Sequence, residues 1–232
     1  MRRCIPILSL LLGLLTACAG ISGGQPEQQA LVDRATLTVL ELASSPSNGD
    51  FNNVLRRSRA AVICPRVFRA GFLLGGEGGA CVLAARDGAG SWSSPAFYTM
   101  GSGSIGLQIG VQDAQIVMMV MSDRGLNALL RNQFKIGADA SVAVAQFGGG
   151  IEGSTTANAG ADIIAFARGS GLFAGLTFEG GILTSRPAAN QSYYGQAVGA
   201  RQVVVDMAAH NPGADPLRAA LMRYGTPPPA SP

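Results

Sequence analysis

One histidine, His210, serves a chain of 232 residues. Any Ser-His-Asp or Cys-His catalytic arrangement would have to use it. It sits in a polar stretch, HNPGAD, where a loop histidine is ordinarily just solvated. No G-x-S-x-G nucleophile elbow occurs, and the serines near 101–104 are out of phase with one. No Cys/His spacing suits a metal, so neither a metal nor another cofactor is expected. Charge is scarce as well, at 13% of residues. Glu77, Glu152, Asp162 and Glu179 lie in or beside glycine-rich segments. Scattered acids beside turns cap backbone or face solvent more often than they pair for hydrolysis. The chain is therefore not expected to be an enzyme.

The N-terminal apolar run, Ile5 to Leu15, covers only 11 residues. That is short of the roughly 20 needed to cross a bilayer core. With Arg2 and Arg3 before it, the run suits a secretory signal. It ends in Leu15-Thr16-Ala17-Cys18, which resembles a bacterial lipobox. The resemblance implies cleavage before Cys18, a diacylglycerol thioether on Cys18 and an acylated amine. An ordinary cleaved signal with a chance cysteine is the plainer alternative. Ala19 after the cysteine implies export to the outer membrane, with the domain in the periplasm. The expected organisation is a signal peptide at 1–17, lipidated Cys18 and spacer at 18–26, a single domain at 27–225 and a disordered tail at 226–232. Loss of Arg2 and Arg3 lowers the formal net charge from +3 to about +1. The basicity of the whole sequence is thus partly a targeting effect and makes no case for nucleic acid.

Of four cysteines, Cys4 leaves with the signal and Cys18 carries lipid. Cys64 and Cys81 remain, in an oxidising compartment. They are either a disulfide closing a loop of about 17 residues or two buried thiols.

What is abundant is glycine, at 32 residues. Glycine at this level, in a chain with little charge, suits tight turns and closely packed strands. Before the glycine-rich part, Val32, Ala35, Thr36, Val39, Leu40 and Ala43 recur at helical spacing. Pro46-Ser47-Asn48-Gly49 breaks this helix, and Asp50 reads as the N-cap of a short second one with Phe51, Val54 and Leu55 inward. From about 60 to 185 the period becomes strand-like: AAVIC (60–64), ACVLAA (80–85), AFYTM (96–100), IGLQIGV (105–111), AQIVMMVM (114–121), DASVAVAQF (139–147), ADIIAFA (161–167) and LFAGLTFEG (172–180). One helix interrupts them, capped by Ser122 or Asp123, with Leu126, Leu129 and Leu130 as its apolar face. A last helix starts with Asp215 as cap and Pro216, and stops at Gly225.

Gly101, Gly103 and Gly106 spell G-x-G-x-x-G, the dinucleotide fingerprint. The motif needs a helix after it. Here Leu107, Ile109 and Val111 alternate with Gln108, Gly110 and Gln112, which is strand periodicity. The glycines are expected to allow a bulge or bend.

Arg56, Arg57, Arg59, Arg66 and Arg69 crowd into 14 positions with no acid among them. They read either as a site for an anionic lipid head group, since guanidinium forks bind phosphate bidentately, or as a solvated face with Arg56, Arg57 and Arg59 near a helix C-terminus.

Laid out in order, the segments resemble a SYLF domain. The resemblance is carried by RAAVICPRVFRAGFLLGGEGGACVLAAR (59–86), WSSPAFYTMGSGSIGLQIGVQ (92–112), IVMMVMSDRGLNALL (116–130), KIGADASVAVAQFGGGIEG (135–153), ADIIAFARGSGLFAGLTFEGGIL (161–183) and NQSYYG (190–195). It implies an α+β fold, with a glycine-rich, mainly antiparallel, barrel-like sheet, helices at both ends and one inserted helix. It also implies binding of phosphoinositides or other anionic phospholipids without catalysis. In eukaryotic members the N-terminal amphipathic and basic part is implicated in lipid contact, which maps here to the 30–59 helices and the 56–69 arginines. Actin binding by some yeast members is not carried over to a secreted lipoprotein. The expected function is a membrane-anchored, non-catalytic module for anionic phospholipid. The alternative is a scaffolding envelope lipoprotein that contacts proteins or peptidoglycan.

Overall fold

The structure, a computed structural model, describes residues 25–45, 49–71, 74–105, 110–146, 160–169 and 181–226. The chain opens with helices α1 (Gln25–Ser44) and α2 (Gly49–Arg57). Strands β1 (Ala60–Gly71), β2 (Leu74–Ala85), β3 (Ala96–Ile105) and β4 (Gly110–Val120) follow. Helix α3 (Asp123–Leu129) leads to β5 (Gln133–Lys135), β6 (Val142–Gln146), β7 (Ile163–Gly169) and β8 (Ile182–Ser185). Helices α4 (Pro187–Tyr194), α5 (Ala200–Val204) and α6 (Asp215–Gly225) close the described chain.

The eight strands form one sheet in the order β5-β8-β3-β2-β1-β4-β7-β6. Within it β4-β1-β2-β3 is a Greek key, with the fourth strand returned beside the first. All pairings are antiparallel except β6 with β7, which is parallel. The fold is therefore α+β with a mainly antiparallel sheet, as the resemblance implies. The sheet must curl. Strands β5 and β6 sit at its opposite edges, seven strand spacings or about 34 Å apart if flat. Residues 136–141 join them, and that link reaches only about 25 Å.

Each face of the curled sheet has its own core. The inner face gathers Val62, Cys64, Leu83, Tyr98, Met118, Phe134, Ala165 and Leu183, closed by Leu129 of α3 and Val203 and Val204 of α5. The outer face gathers Ile63, Val82, Phe97, Val117, Met119, Ile164 and Phe166 against α1, α2, α4 and α6. Alternation along β4, and along β1 up to its bulge at Cys64, supplies both cores from the same strands. The helix stripe expected on α1 is the buried one at Val32, Ala35, Thr36, Val39 and Ala43. Phe51 of α2 meets Phe166 edge to face at 5.3 Å.

Several local expectations need correction. Gln25 and Pro26 belong to α1 rather than to the spacer. Asp50 lies in the first turn of α2, which begins at Gly49. Asp215 is likewise inside α6; its N-cap is Ala214, whose methyl side chain can accept no bond, and the Asp215 carboxylate is taken by Arg218 at 2.8 Å. Ser122 does cap α3, accepting from the Gly125 amide. β3 stays in unbroken register with β2 from Ala96 through Ile105, so no bulge occurs at Gly101 or Gly103. The bulge is on β1, between Cys64 and Val67 against β4. The lipobox and Cys18, Gly106 of the fingerprint, Glu152, Glu179, the run 172–180 and residues 227–232 lie outside the described residues.

The NQSYYG motif works as a set of pins. Asn190 is fully buried; its Oδ1 accepts from the Phe97 amide and its Nδ2 donates to the Val198 carbonyl. Tyr193 donates to Gln29 of α1, and Tyr194 donates to the Pro95 carbonyl at 2.6 Å. Gly195 ends α4 at φ 68°, a left-handed cap that glycine adopts without cost. Tyr98 donates to the Leu129 carbonyl and holds the end of α3.

Burial pushes the phenols of Tyr98, Tyr193 and Tyr194 well above the ordinary tyrosine range. Nearby Asp33 and Asp215 add to the effect on Tyr193. The folded state thus keeps protons that the unfolded chain gives up near pH 10. Stability from these groups is complete below pH about 10 and falls as pH rises beyond it. Urea melts between neutral pH and pH about 11 should show this loss on the alkaline side. Ionisation of all the tyrosines near pH 10 with the fold intact would contradict it.

Candidate anion-binding pocket

The bulge on β1 turns Pro65 and Arg66 out of the regular pleat. Proline has no amide to offer a ladder, so a bulge suits it. Gly79 on the neighbouring β2 is what admits the bulge: a Cβ there would overlap the Arg66 carbonyl oxygen and lie 3.1 Å from the Val67 Cα. Cys64, at the start of the bulge, is disulfide-bonded to Cys81 of β2, with Cα atoms 4.2 Å apart and both residues fully buried.

Beside this bulge an open pocket of about 440 Å³ lies between α1 and the outer face of β1, β4 and β7. Its charged lining is Arg34 and Glu41 from α1, Arg66 from the bulge, Asp113 from β4 and Arg168 from β7. Arg66 holds Asp113 through two parallel hydrogen bonds of 2.9 Å. That contact keeps the Asp113 carboxyl below the usual carboxylate range, the hydrogen bond being the larger cause. Arg168 reaches Glu41 at 2.8 Å, and the Gln115 amide donates to the other Glu41 oxygen at 3.1 Å. Three guanidiniums from three elements thus converge on one cleft, a geometry suited to a phosphate or carboxylate.

The five clustered arginines do not share a site. Arg59 and Arg69 flank most of an extended strand, about 33 Å at 3.3 Å per residue. Arg56 bonds Asn53 at the end of α2, Arg57 is exposed, and Arg59 pairs with Asp123 at 3.2 Å. Arg69 faces Glu77 across the β1–β2 ladder and is largely buried. Only Arg66 lines the pocket. Nothing in the sequence marks Arg34 or Arg168, because neither has a charged neighbour of its own sign.

His210 is not simply solvated. Its Nδ1 lies 3.2 Å from the Ser94 hydroxyl and its Nε2 lies 3.7 Å from Asp215. The trio matches a catalytic triad in composition only. Ser94 is 4% exposed, which denies a substrate access, and Asp215 is already bonded to Arg218. Among the described residues no group of His, Cys, Asp and Glu could hold a metal. Glu77 is used by Arg69. Asp162, the other of the four acids beside glycine-rich segments that lies within the described residues, is used structurally: it accepts from Ser122 at 2.6 Å and from Ser141, tying α3 to β6 and β7.

Comparison with known proteins places this fold. The family described as "Ysc84: Las17-binding protein actin regulator" matches residues 101–224, more than half of the chain. The chain belongs to the Ysc84 family. Ysc84 and SYLF denote the same domain, so the resemblance read from the segments holds. Protein YSC84 of Saccharomyces cerevisiae is 29% identical over 167 residues, 71% of this chain and 36% of the yeast protein. An SH3 domain-containing protein of Schizosaccharomyces pombe is 31% identical over 168 residues, 71% of this chain and 39% of its own. The human SH3 domain-containing YSC84-like protein 1 is 30% identical over 139 residues, 60% of this chain and 41% of its own. The chain thus spans well under half the length of these relatives. The Ysc84 family is one of binding domains rather than enzymes.

Proposed function

We propose that this Ysc84 domain is a non-catalytic, membrane-tethered module that binds anionic phospholipid. The observation that carries the reading is the convergence of Arg34, Arg66 and Arg168 on one open pocket. The tether is a lipid on Cys18, which would place the domain in a bacterial envelope, on the periplasmic side of an outer membrane. Gln25 lies seven positions after Cys18, so such an anchor would hold the start of α1 within about 25 Å of the bilayer. Acyl chains on Cys18 would already secure the protein, at about 0.8 kcal/mol per buried CH₂. The arginines would therefore orient the domain or choose its lipid rather than hold it at the surface.

The test uses residues 19–232, which keep every described element of the fold and lack the anchor site. Binding to vesicles containing anionic lipid, and not to zwitterionic vesicles, is expected. Replacing Arg34, Arg66 and Arg168 together by Gln should weaken it by roughly 10- to 100-fold, at a few-fold per basic side chain. Replacing Arg57 and Arg59, at the other end of β1, should change it far less. Equal absence of binding to both vesicle types would refute the reading. Protein partners that stay bound at high salt, with no lipid bound, would instead support a scaffolding role, which the Las17-binding description of the family makes the second reading.

A further inference from the structure

We infer that the pocket selects a singly charged phosphodiester head group over phosphomonoester and polyphosphate head groups, and that Glu41 and Asp113 set the choice. This rests on the lipid-binding reading above and sharpens it. Five ionised side chains line the pocket, three basic and two acidic. Asp113 is paired with Arg66 and Glu41 with Arg168. One positive charge is left over, and it belongs to Arg34, which has no hydrogen-bond or ion-pair partner among the described residues.

A phosphodiester carries one negative charge and balances that surplus. A phosphomonoester carries about 1.5 to 2 at neutral pH, and a bisphosphate head group more. The added charge would meet the two carboxylates in the same cleft, and at these half-exposed positions the repulsion is modest, about 1 kcal/mol, enough for a several-fold preference. The diester need not break the existing pairs. A guanidinium has five N–H donors. Arg66 spends Nε and one terminal nitrogen on Asp113, and Arg168 spends one terminal nitrogen on Glu41. The rest of both forks, and all of Arg34, can serve a phosphate.

The lipid, rather than a free diester, is indicated by the rim. Leu37 is 63% exposed and Phe68 is 44% exposed, both high for large apolar side chains. Leu37 lies on the α1 stripe between Arg34 and Glu41, three residues after the one and four before the other. Phe68 pairs with Asp113 in the β1–β4 register. Both flank the pocket where the glycerol and first acyl carbons would emerge. The charged lining itself gives acyl chains no place inside.

The experiment measures binding of residues 19–232 to phosphatidylcholine vesicles doped with phosphatidylglycerol, phosphatidic acid or a phosphatidylinositol bisphosphate, at matched total lipid charge. The wild type should bind the phosphatidylglycerol vesicles at least several-fold more tightly than the other two. The Glu41→Gln/Asp113→Asn variant should reverse that order; Glu41→Gln alone, at a half-exposed position, should shift it in the same direction should the double variant not fold. A wild type that favours either phosphomonoester lipid, or a ranking that both variants leave unchanged, overturns the inference while leaving lipid binding standing. Absence of binding to every anionic vesicle overturns the lipid reading itself. Soluble glycerophosphoglycerol is the second arm. It should bind at least tenfold more weakly than the vesicle lipid; equal affinity would assign the pocket to a free phosphodiester and refute the lipid source.

Discussion

Replacing Arg86 by alanine is expected to cost about 2–4 kcal/mol, a large part of the 5–15 kcal/mol that ordinarily holds a domain together. The guanidinium ties the ends of two helices to the sheet. One terminal nitrogen donates to the Arg56 carbonyl at 2.9 Å. The other donates to Leu55 at 3.2 Å and to Gly225 at 2.8 Å. These carbonyls lie at the C-terminal ends of α2 and α6, where the helix dipoles are negative and no intrahelical donor remains. The plane of the group also lies over the buried Trp92 ring, 4.9 Å from its centroid. Hydrogen bonds to a charged donor contribute about 1.5–3 kcal/mol each, and losing them together leaves the Arg56 and Gly225 carbonyls without this donor in a half-buried place, while the Leu55 carbonyl keeps the Ser58 amide and hydroxyl. Arg86→Lys should recover less than half of the loss, because one ammonium cannot span carbonyls on two helices. Urea midpoints would show both effects. A cost below about 1 kcal/mol for the alanine variant would mean that water satisfies the carbonyls equally well.

Arg86 illustrates how legibility divides. Its position was visible as the residue closing a strand-like run, but its work depends on Leu55 and Gly225, one before the sheet and one at the end of the chain. The strands and α1 could be read because their buried positions recur at fixed spacing. Helices α4 and α5 could not, since PAANQSYY and ARQVV carry no apolar stripe long enough to show a period. What makes α4 a helix is tertiary: Asn190, Tyr193 and Tyr194 are each fixed by a partner at least eight residues distant. The arginines failed for the converse reason. Fourteen residues of sequence look like one patch, yet a strand spends about 3.3 Å on each residue, and alternate residues face opposite sides. The pocket draws instead on positions 34, 66 and 168, which only the stacking of α1 on β1, β4 and β7 brings together. The dinucleotide fingerprint is a third case. Gly101 and Gly103 occur in a strand with regular register, and the irregularity they are expected to permit falls instead at Pro65 on β1, admitted by Gly79.

The bulge gives the second large effect. Removing the Cys64–Cys81 bond by replacing both residues with alanine should cost about 3 kcal/mol, the loop-closure value for a 17-residue separation. Midpoints with and without reductant should differ for the wild type and coincide for the variant. Binding should respond differently. The disulfide joins strands whose ladder is already closed on one side by Ile63 and Val82, so the folded protein can keep its bulge without the bond, and the folded variant should bind vesicles as tightly as the wild type. Gly79→Ala should do the reverse. Its Cβ meets backbone of Arg66 and Val67, not a side chain that can rotate away, so β1 must shift and carry Arg66 out of the pocket. Overpacking of this kind costs about 1–3 kcal/mol, no more than the disulfide, yet it should weaken anionic-vesicle binding by about the few-fold that one basic side chain contributes. If the disulfide variant loses binding and Gly79→Ala retains it, the bulge is a stability element and Arg66 is not positioned by it. If Gly79→Ala alone loses binding in a folded protein, a single missing methyl group on β2 is what lets a mid-strand arginine reach the pocket formed with α1.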